Sequence, residues 1–252
     1  MTAVVGILCA DGIVIGADSA LTQSAGQVPL LGQTSYRKIR IVNQNIIAAV
    51  AGDGDCHIRC CDALQAWANA NDISQHGMVD GAVLLSNLFR NALSNTAQQA
   101  QQYVYDPVIG YPCKEGLGLI SFSAQQNFQP KFALPDGLWF MTAGSGLFHT
   151  TPFLGFLRQV FWSESRPNVG GGTFTAYWAL RHACDISPGG VAAPLDFVVL
   201  EKVNGSVAAR QLDPSELDGH EESLNEVNKR LRQFKDTLEN VGDAVEPPPV
   251  KD

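Results

Sequence analysis

The stretch Thr2-Ala3-Val4-Val5-Gly6-Ile7-Leu8-Cys9-Ala10-Asp11-Gly12-Ile13-Val14-Ile15-Gly16-Ala17-Asp18-Ser19 holds two apolar runs, residues 3–9 and 12–18, joined at Asp11-Gly12. Asp-Gly between β-branched runs is a hairpin signal, because both residues accept the left-handed backbone of a tight turn. A second hairpin follows. Residues 38–43 alternate in polarity, 46–51 are continuously apolar, and Asn43-Gln44-Asn45 turns between them. Apolar spacing then predicts helices over 55–70 and 79–102. Pro107, Gly110 and Pro112 make Tyr103–Gly116 read as a loop. Three strands follow (117–123, 128–134, 138–142). Gly144-Ser145-Gly146 introduces a helix over 147–161, and Gly170-Gly171-Gly172 precedes another over 173–184. Strands near 195–202 and 206–210 complete the order. Strands, two helices, strands, two helices, strands predicts an α+β fold: a four-layer αββα sandwich of two antiparallel sheets flanked by helices.

A C-terminal helix is expected over 215–240, with Leu217, Leu224, Val227, Leu231, Phe234 and Leu238 forming a stripe. Acidic residues lead it and basic residues follow, matching the helix dipole. The stripe suits packing on its own domain or a subunit contact. The domain reading is therefore 2–212 for the main domain, 213–240 for a helical extension, and 241–252, with Pro247-Pro248-Pro249, for a disordered tail.

The 252 residues are 45% hydrophobic, enough for one large core, and carry a net charge of −8 with no basic block. A nucleic-acid face, which needs clustered Lys and Arg, is not expected. Neither is a signal peptide, nor a membrane span, which takes roughly 18–20 consecutive apolar residues. The expected location is cytoplasmic, and the six cysteines are expected as free thiols. Cys56-His57-x-x-Cys60-Cys61 lacks a second ligand cluster, so it reads as small residues on a helix, with no metal or cofactor expected.

Chemistry is suggested by an ordered set. Removal of Met1 would give Thr2 a free α-amine beside its hydroxyl, and such an amine, with an ordinary pKa of roughly 7.7–8.0, can serve as base to its own nucleophile. A lysine ammonium nearby would depress the amine and hydroxyl pKa values, and a carboxylate would hold that lysine. Asp18, closing the second strand, and Lys38, opening the third, fit those roles. The N–H of Gly52, ending the fourth, could face a developing oxyanion.

The segment Thr2…Gly6-Ile7…Asp11-Gly12-Ile13-Val14-Ile15-Gly16-Ala17-Asp18-Ser19…Thr22, with Lys38-Ile39 and Ala51-Gly52, resembles the start of a mature proteasome β-type subunit, an HslV-like N-terminal-nucleophile threonine peptidase. The Thr2-to-Asp18 and Lys38-to-Gly52 separations equal the family's. The Asp18-to-Lys38 interval is longer, which suggests an enlarged loop around Gly26–Thr34. Gly144-Ser145-Gly146 resembles the family's Gly-Ser-Gly turn, whose Ser assists the nucleophile. Cys184-Asp185-Ile186-Ser187-Pro188-Gly189-Gly190 resembles its Asp-x-x-Ser-Gly-Gly motif imperfectly, since Pro188 stands where the family has Ser and Ser187 is one place early. Either the loop re-registers or that hydrogen bond is lost.

The resemblance implies an N-terminal-nucleophile hydrolase fold and a self-compartmentalising peptidase. Thr2, Asp18, Lys38, Gly52, Ser145, Asp185 and Ser187 would be its catalytic set. The assembly would be a homo-oligomer of stacked double rings, seven-fold favoured over six-fold, acting on peptides or unfolded protein. Among bacterial relatives, HslV, Anbu and a betaproteobacterial proteasome homologue fit a free Thr2 without propeptide, and length with the C-terminal extension favours the third. Substrate would lie as a strand between the Thr22 edge and Gly52–Gly54. Leu21, Val50 and Gly54 would line the first pocket; they carry no charge, so apolar cleavage sites are expected. With no Gly-x-x-x-x-Gly-Lys loop, any ATP dependence would come from a separate ATPase unfoldase. The same chemistry also serves amidases of small metabolites, and a catalytically silent ring or scaffold subunit is a third reading.

Overall fold

A computed structural model of the protein describes residues 2–25, 28–32, 37–94, 103–186, 190–203 and 205–241. In chain order the first elements are β1 (Val4–Leu8), β2 (Gly12–Asp18), β3 (Leu21–Ala25), β4 (Val28–Gly32), β5 (Ile39–Val42) and β6 (Ile46–Gly52). Helices α1 (Gly54–Ala68) and α2 (Met78–Ser94) follow, then β7 (Tyr105–Cys113), β8 (Gly116–Ser121), β9 (Lys131–Phe132) and β10 (Phe140–Ala143). Helices α3 (Leu147–Phe161) and α4 (Val169–Ile186), β11 (Leu195–Val203), β12 (Ser206–Gln211) and α5 (Pro214–Val241) complete it.

Two five-stranded antiparallel sheets form, in the orders β10-β1-β2-β11-β12 and β5-β6-β7-β8-β9. Helices α3 and α4 pack on the first sheet, α1 and α2 on the second, and the sheets face each other. This is the αββα sandwich. Every residue of β1 and β2 is buried, because an inner sheet is covered on both faces and its strands read as continuous apolar runs. The sheets meet closely at glycines: a Cβ on Gly6 would stand 3.0 Å from Val108, and one on Gly110 would stand 3.1 Å from Ile13.

Under α1 and α2 the core holds Ile46, Ala48, Val50, Cys56, Cys60, Leu64, Leu85, Tyr105, Ile109 and Phe128 around Phe89. Phe89 meets the rings of Tyr105, Phe122 and Phe128 edge-on, a favoured arrangement of ring quadrupoles. Cys56, His57, Cys60 and Cys61 lie in this layer, with the thiols free. Among the described residues no group of three or more His, Cys, Asp or Glu is placed to hold a metal ion. No described helix is long and apolar enough to cross a membrane.

Four local expectations are corrected. Tyr103–Gly116 is not a loop: residues 105–113 form the central strand of the second sheet. Its prolines sit at the ends of the two registers, and Pro107 C=O still accepts from Phe122 N–H one residue past β8. Pro107 pairs with Val50 of β6 but lies outside the β8 register; Pro112 pairs with Leu117 of β8 but lies beyond the β6 register. A residue without N–H is tolerated where the ladder is ending. The second correction is at Gly170–Gly172, which lies inside α4. Asp11 Oδ1 accepts from Val169 N–H and Asn168 Oδ1 from Gly171 N–H, so the helix begins early. The glycines let it approach, since a Cβ on Gly172 would stand 2.4 Å from Cys9 Sγ. Third, the enlarged loop around Gly26–Thr34 is largely a hairpin of β3 and β4; Gly26, Gln27 and residues 33–36 lie outside the described residues. Fourth, the strand expected at 128–134 is reduced to β9, because Asn127 and Phe128 adopt left-handed backbone that breaks it.

The chain divides into two compact units after Leu212. The second contains α5, in which Leu231, Phe234 and Leu238 are exposed. The expected disordered tail lies outside the described residues from 242 onward, as do residues 95–102 of the long helix expected over 79–102.

Candidate active site

The first hairpin sets the site. Its register pairs Val4 with Ala17, so Ala3 stands opposite Asp18. Ala3 N–H donates to Asp18 Oδ1 at 2.8 Å, and Asp18 N–H donates to Ala3 C=O at 3.2 Å. The same Oδ1 accepts Lys38 Nζ at 2.8 Å, while Oδ2 accepts Ala20 N–H at 3.2 Å. Lys38 immediately precedes β5 and is tied to β6 by its carbonyl, which accepts Val50 N–H. Asp18 is fully buried and Lys38 is 4% exposed. Burial draws the Lys38 ammonium below the usual lysine pKa, and Asp18 opposes that shift. The carboxylate therefore holds a charge that burial alone would disfavour.

Thr2 is clamped from the other side by the Gly144-Ser145-Gly146 turn. Gly146 N–H donates to Thr2 C=O at 2.9 Å, and Thr2 N–H donates to Ser145 Oγ at 3.2 Å. Met1 lies outside the described residues, and the Thr2 nitrogen, here an amide, occupies the place of the α-amine that Met1 removal would free. Gly144 has φ +85°, and a Cβ there would stand 2.3 Å from Thr2 C=O. Gly52 has φ +111°, and its Cβ would stand 2.0 Å from Val104 C=O. Both positions accept only glycine. Asp53 caps α1 through bonds from Asp55 and Cys56 N–H, which fixes Gly52 and Gly54 at the cleft's edge.

These elements enclose a cleft of about 380 Å³ lined by Thr2, Ala20, Lys38, Val50, Ala51, Gly52, Gly54, Val104, Asp106, Gly144, Ser145, Leu147 and Phe148. The sequence-based set is thus gathered for Thr2, Lys38, Val50, Gly52, Gly54 and Ser145, with Asp18 directly behind Lys38. Leu21 and Thr22 lie in β3, whose side chains are outside the described set; Ala20 lines the cleft beside them. Asp185 is exposed in the last turn of α4 and does not line the cleft; its charge acts on His182 and Cys184. Ser187 is outside the described residues.

The sequence reading missed the far wall. Val104, Asp106, Leu147 and Phe148 come from β7 with its approach and from α3. Asp106, a half-buried carboxylate, also belongs to the cleft lining, in which Val50 and Gly54 carry no charge. Cys184 was also missed: it lies within electrostatic reach of Asp18 and Lys38, and burial, with Asp18 adding, pushes its thiol up to about 11.

The sequence model of the family described as "Proteasome subunit" matches residues 2–129, half of the chain. No curated protein sequence matches. Similar solved structures include a Gly-1 mutant of Anbu from Hyphomicrobium sp. strain MC1, 17% identical with a TM-score of 0.69, covering 95% of this chain and 100% of that one. Anbu from Yersinia bercovieri, described as an ancestral beta-subunit, is 15% identical with a TM-score of 0.65 and full coverage of both chains. The helical assembly of the Anbu complex from Pseudomonas aeruginosa is 16% identical with a TM-score of 0.61, covering 98% of each chain. At these identities the likeness is one of fold.

Proposed function

The chain belongs to the proteasome subunit family, and from that premise we propose that it is an N-terminal threonine peptidase. The observation that carries this is Asp18 Oδ1, which takes both Ala3 N–H and Lys38 Nζ at 2.8 Å and so fixes an ammonium against the residue that follows the nucleophile.

Once Met1 is removed, the Thr2 α-amine takes the hydroxyl proton as Oγ1 attacks the substrate carbonyl carbon. The carbonyl oxygen becomes an oxyanion, which Gly52 N–H receives. The C–N bond then breaks, and the departing nitrogen takes the proton from the α-ammonium. Water, deprotonated by the same amine, attacks the resulting ester and releases Thr2. Lys38 supplies positive potential that favours the neutral amine and the developing alkoxide. Ser145 Oγ orients the amine. Asp185 and Ser187 enter this reading by family likeness alone. The substrate would lie extended along Gly52–Gly54 and β3, its backbone adding a strand.

The same reading includes assembly into a homo-oligomer with the sites facing an inner chamber. The described helical assembly of an Anbu complex supports self-association. Stacked double rings, seven-fold rather than six-fold, in the cytoplasm are the finer form of the proposal, and an unfolding ATPase would be a separate chain.

The test is intact mass before and after a peptide epoxyketone, a reagent that needs a threonine hydroxyl and its free α-amine together. Loss of Met1 and one adduct, absent in Thr2→Ala, is the expected result. A processed chain that takes no adduct would refute the mechanism and favour a silent scaffold subunit.

A further inference from the structure

Asp106 is a charge in the cleft that the chemistry above does not use. In β7, Tyr105, Ile109 and Tyr111 turn to the core beneath α1 and α2, while Val108 and Gly110 turn to the opposite sheet. Asp106 has the parity of Val108, so it faces the space between the sheets, at its open end. The register places it directly across from Ala51, next to Gly52. Side chains directly opposite in an antiparallel pair have Cβ atoms about 4.5–5.5 Å apart. Ala51 Cβ in turn lies 3.0 Å from where a Gly144 Cβ would stand, at the turn that clamps Thr2. The carboxylate is thereby brought to the oxyanion and nucleophile end of the cleft.

No described residue forms an ion pair or hydrogen bond with the Asp106 carboxylate. The Lys38 ammonium, the cation of the lining, is held by Asp18. Residues 95–102, which lead into β7, contain no Lys or Arg. Asp106 is the acidic residue of the described lining, on a wall otherwise made by Val104, Leu147 and Phe148. Such a wall suits a side chain with an apolar stem and a cationic end.

We propose that Asp106 selects substrates that carry a lysine or arginine side chain beside the scissile bond. This rests on the peptidase reading. The carboxylate accepts the cation in a charge-assisted hydrogen bond, and the apolar wall covers the stem.

The test uses the full chain with Met1 removed and Thr2→Ala to stop turnover, so that binding is read apart from catalysis. Fluorescence anisotropy compares N-acetylated, labelled glycine–alanine peptides that differ at one residue, lysine or norleucine. Acetylation removes the α-ammonium as a competing source of charge. The lysine peptide is expected to bind about tenfold more tightly, the low end for a hydrogen bond to a charged group. Asp106→Asn is expected to bring the ratio close to one, and Asp106→Lys to favour a third peptide of the same design with glutamate at that residue. Equal binding of both peptides, or a preference that survives Asp106→Asn, would overturn the proposal. So would a preference seen only with unacetylated peptides, which would assign the site to a chain terminus. Lysine-selective binding that depends on Asp106, in a protein whose Thr2 form takes no epoxyketone, would uphold the selectivity and remove the peptidase chemistry alone.

Discussion

The pair Asp18–Lys38 gives the sharpest stability test, because it is buried and its bonds are few. Lys38→Met removes an ammonium that is 4% exposed and leaves the fully buried Asp18 carboxylate with Ala3 and Ala20 N–H as its remaining donors. Asp18→Asn leaves the ammonium facing an amide where it had a carboxylate at 2.8 Å. Removing one partner of a buried pair costs about 3–5 kcal/mol, mostly the penalty of the charge left behind. For a domain of this size that lowers the melting temperature by roughly 6–20 °C, at about 2–4 °C per kcal/mol. The double variant leaves no buried charge, so its cost should fall below the sum of the singles by about 1.5 kcal/mol or more. The assay is denaturant unfolding of all four proteins at one protein concentration, since self-association would shift apparent stability. Additivity within about 0.5 kcal/mol would refute the reasoning: it would mean the two groups do not act as a pair, and Lys38 would not be held where the mechanism needs it.

His57 makes stability pH-dependent. Burial first, then the Arg40 guanidinium, lower its pKa from 6.5 to about 4. The unfolded chain therefore takes up a proton between those values that the folded chain refuses. Stability is full above pH 6.5 and falls as pH drops towards 4, by roughly 3 kcal/mol in total. Unfolding curves across that range should show the fall, and His57→Gln should flatten it. Gly144→Ala should slow epoxyketone labelling of Thr2 severely, because its Cβ would stand 2.3 Å from the Thr2 carbonyl; labelling at the normal rate would contradict the clamp. Gly205→Ala, with φ +86° but nothing within 4 Å, should cost only its backbone strain, about 1 kcal/mol, and leave labelling alone. Ser145→Ala removes one exposed hydrogen bond to the Thr2 nitrogen. A neutral bond contributes about 0.5–1.5 kcal/mol, so labelling should slow about two- to tenfold.

What the chain discloses follows from how far apart the cooperating residues lie. Thr2 and Asp18 were legible because a two-residue turn fixes the register of β1 and β2, and register decides that Ala3 meets Asp18. Lys38 and Gly52 were legible for the same reason, since they bracket the next hairpin. Asp185 was reached through a motif that already departed from its pattern at Pro188, and its side chain lies at the exposed end of α4, apart from the cleft lining. Asp106 was illegible for a different reason. The pairing of β6 with β7 spans two helices, and Pro107, Gly110 and Pro112 argue locally for a loop. The strand exists because its prolines fall at the ends of the paired registers, which no local window can report. The Asp18 and Lys38 side of the Thr2 site is therefore written in short-range hairpins, while its Ser145 clamp and the wall holding Asp106 depend on long-range contacts. Substitutions in β7 and at the start of α3 can retune that wall and leave the Thr2–Asp18–Lys38 geometry in place. On the proposed reading, selectivity can change without disturbing the hairpins that hold Thr2, Asp18 and Lys38 together.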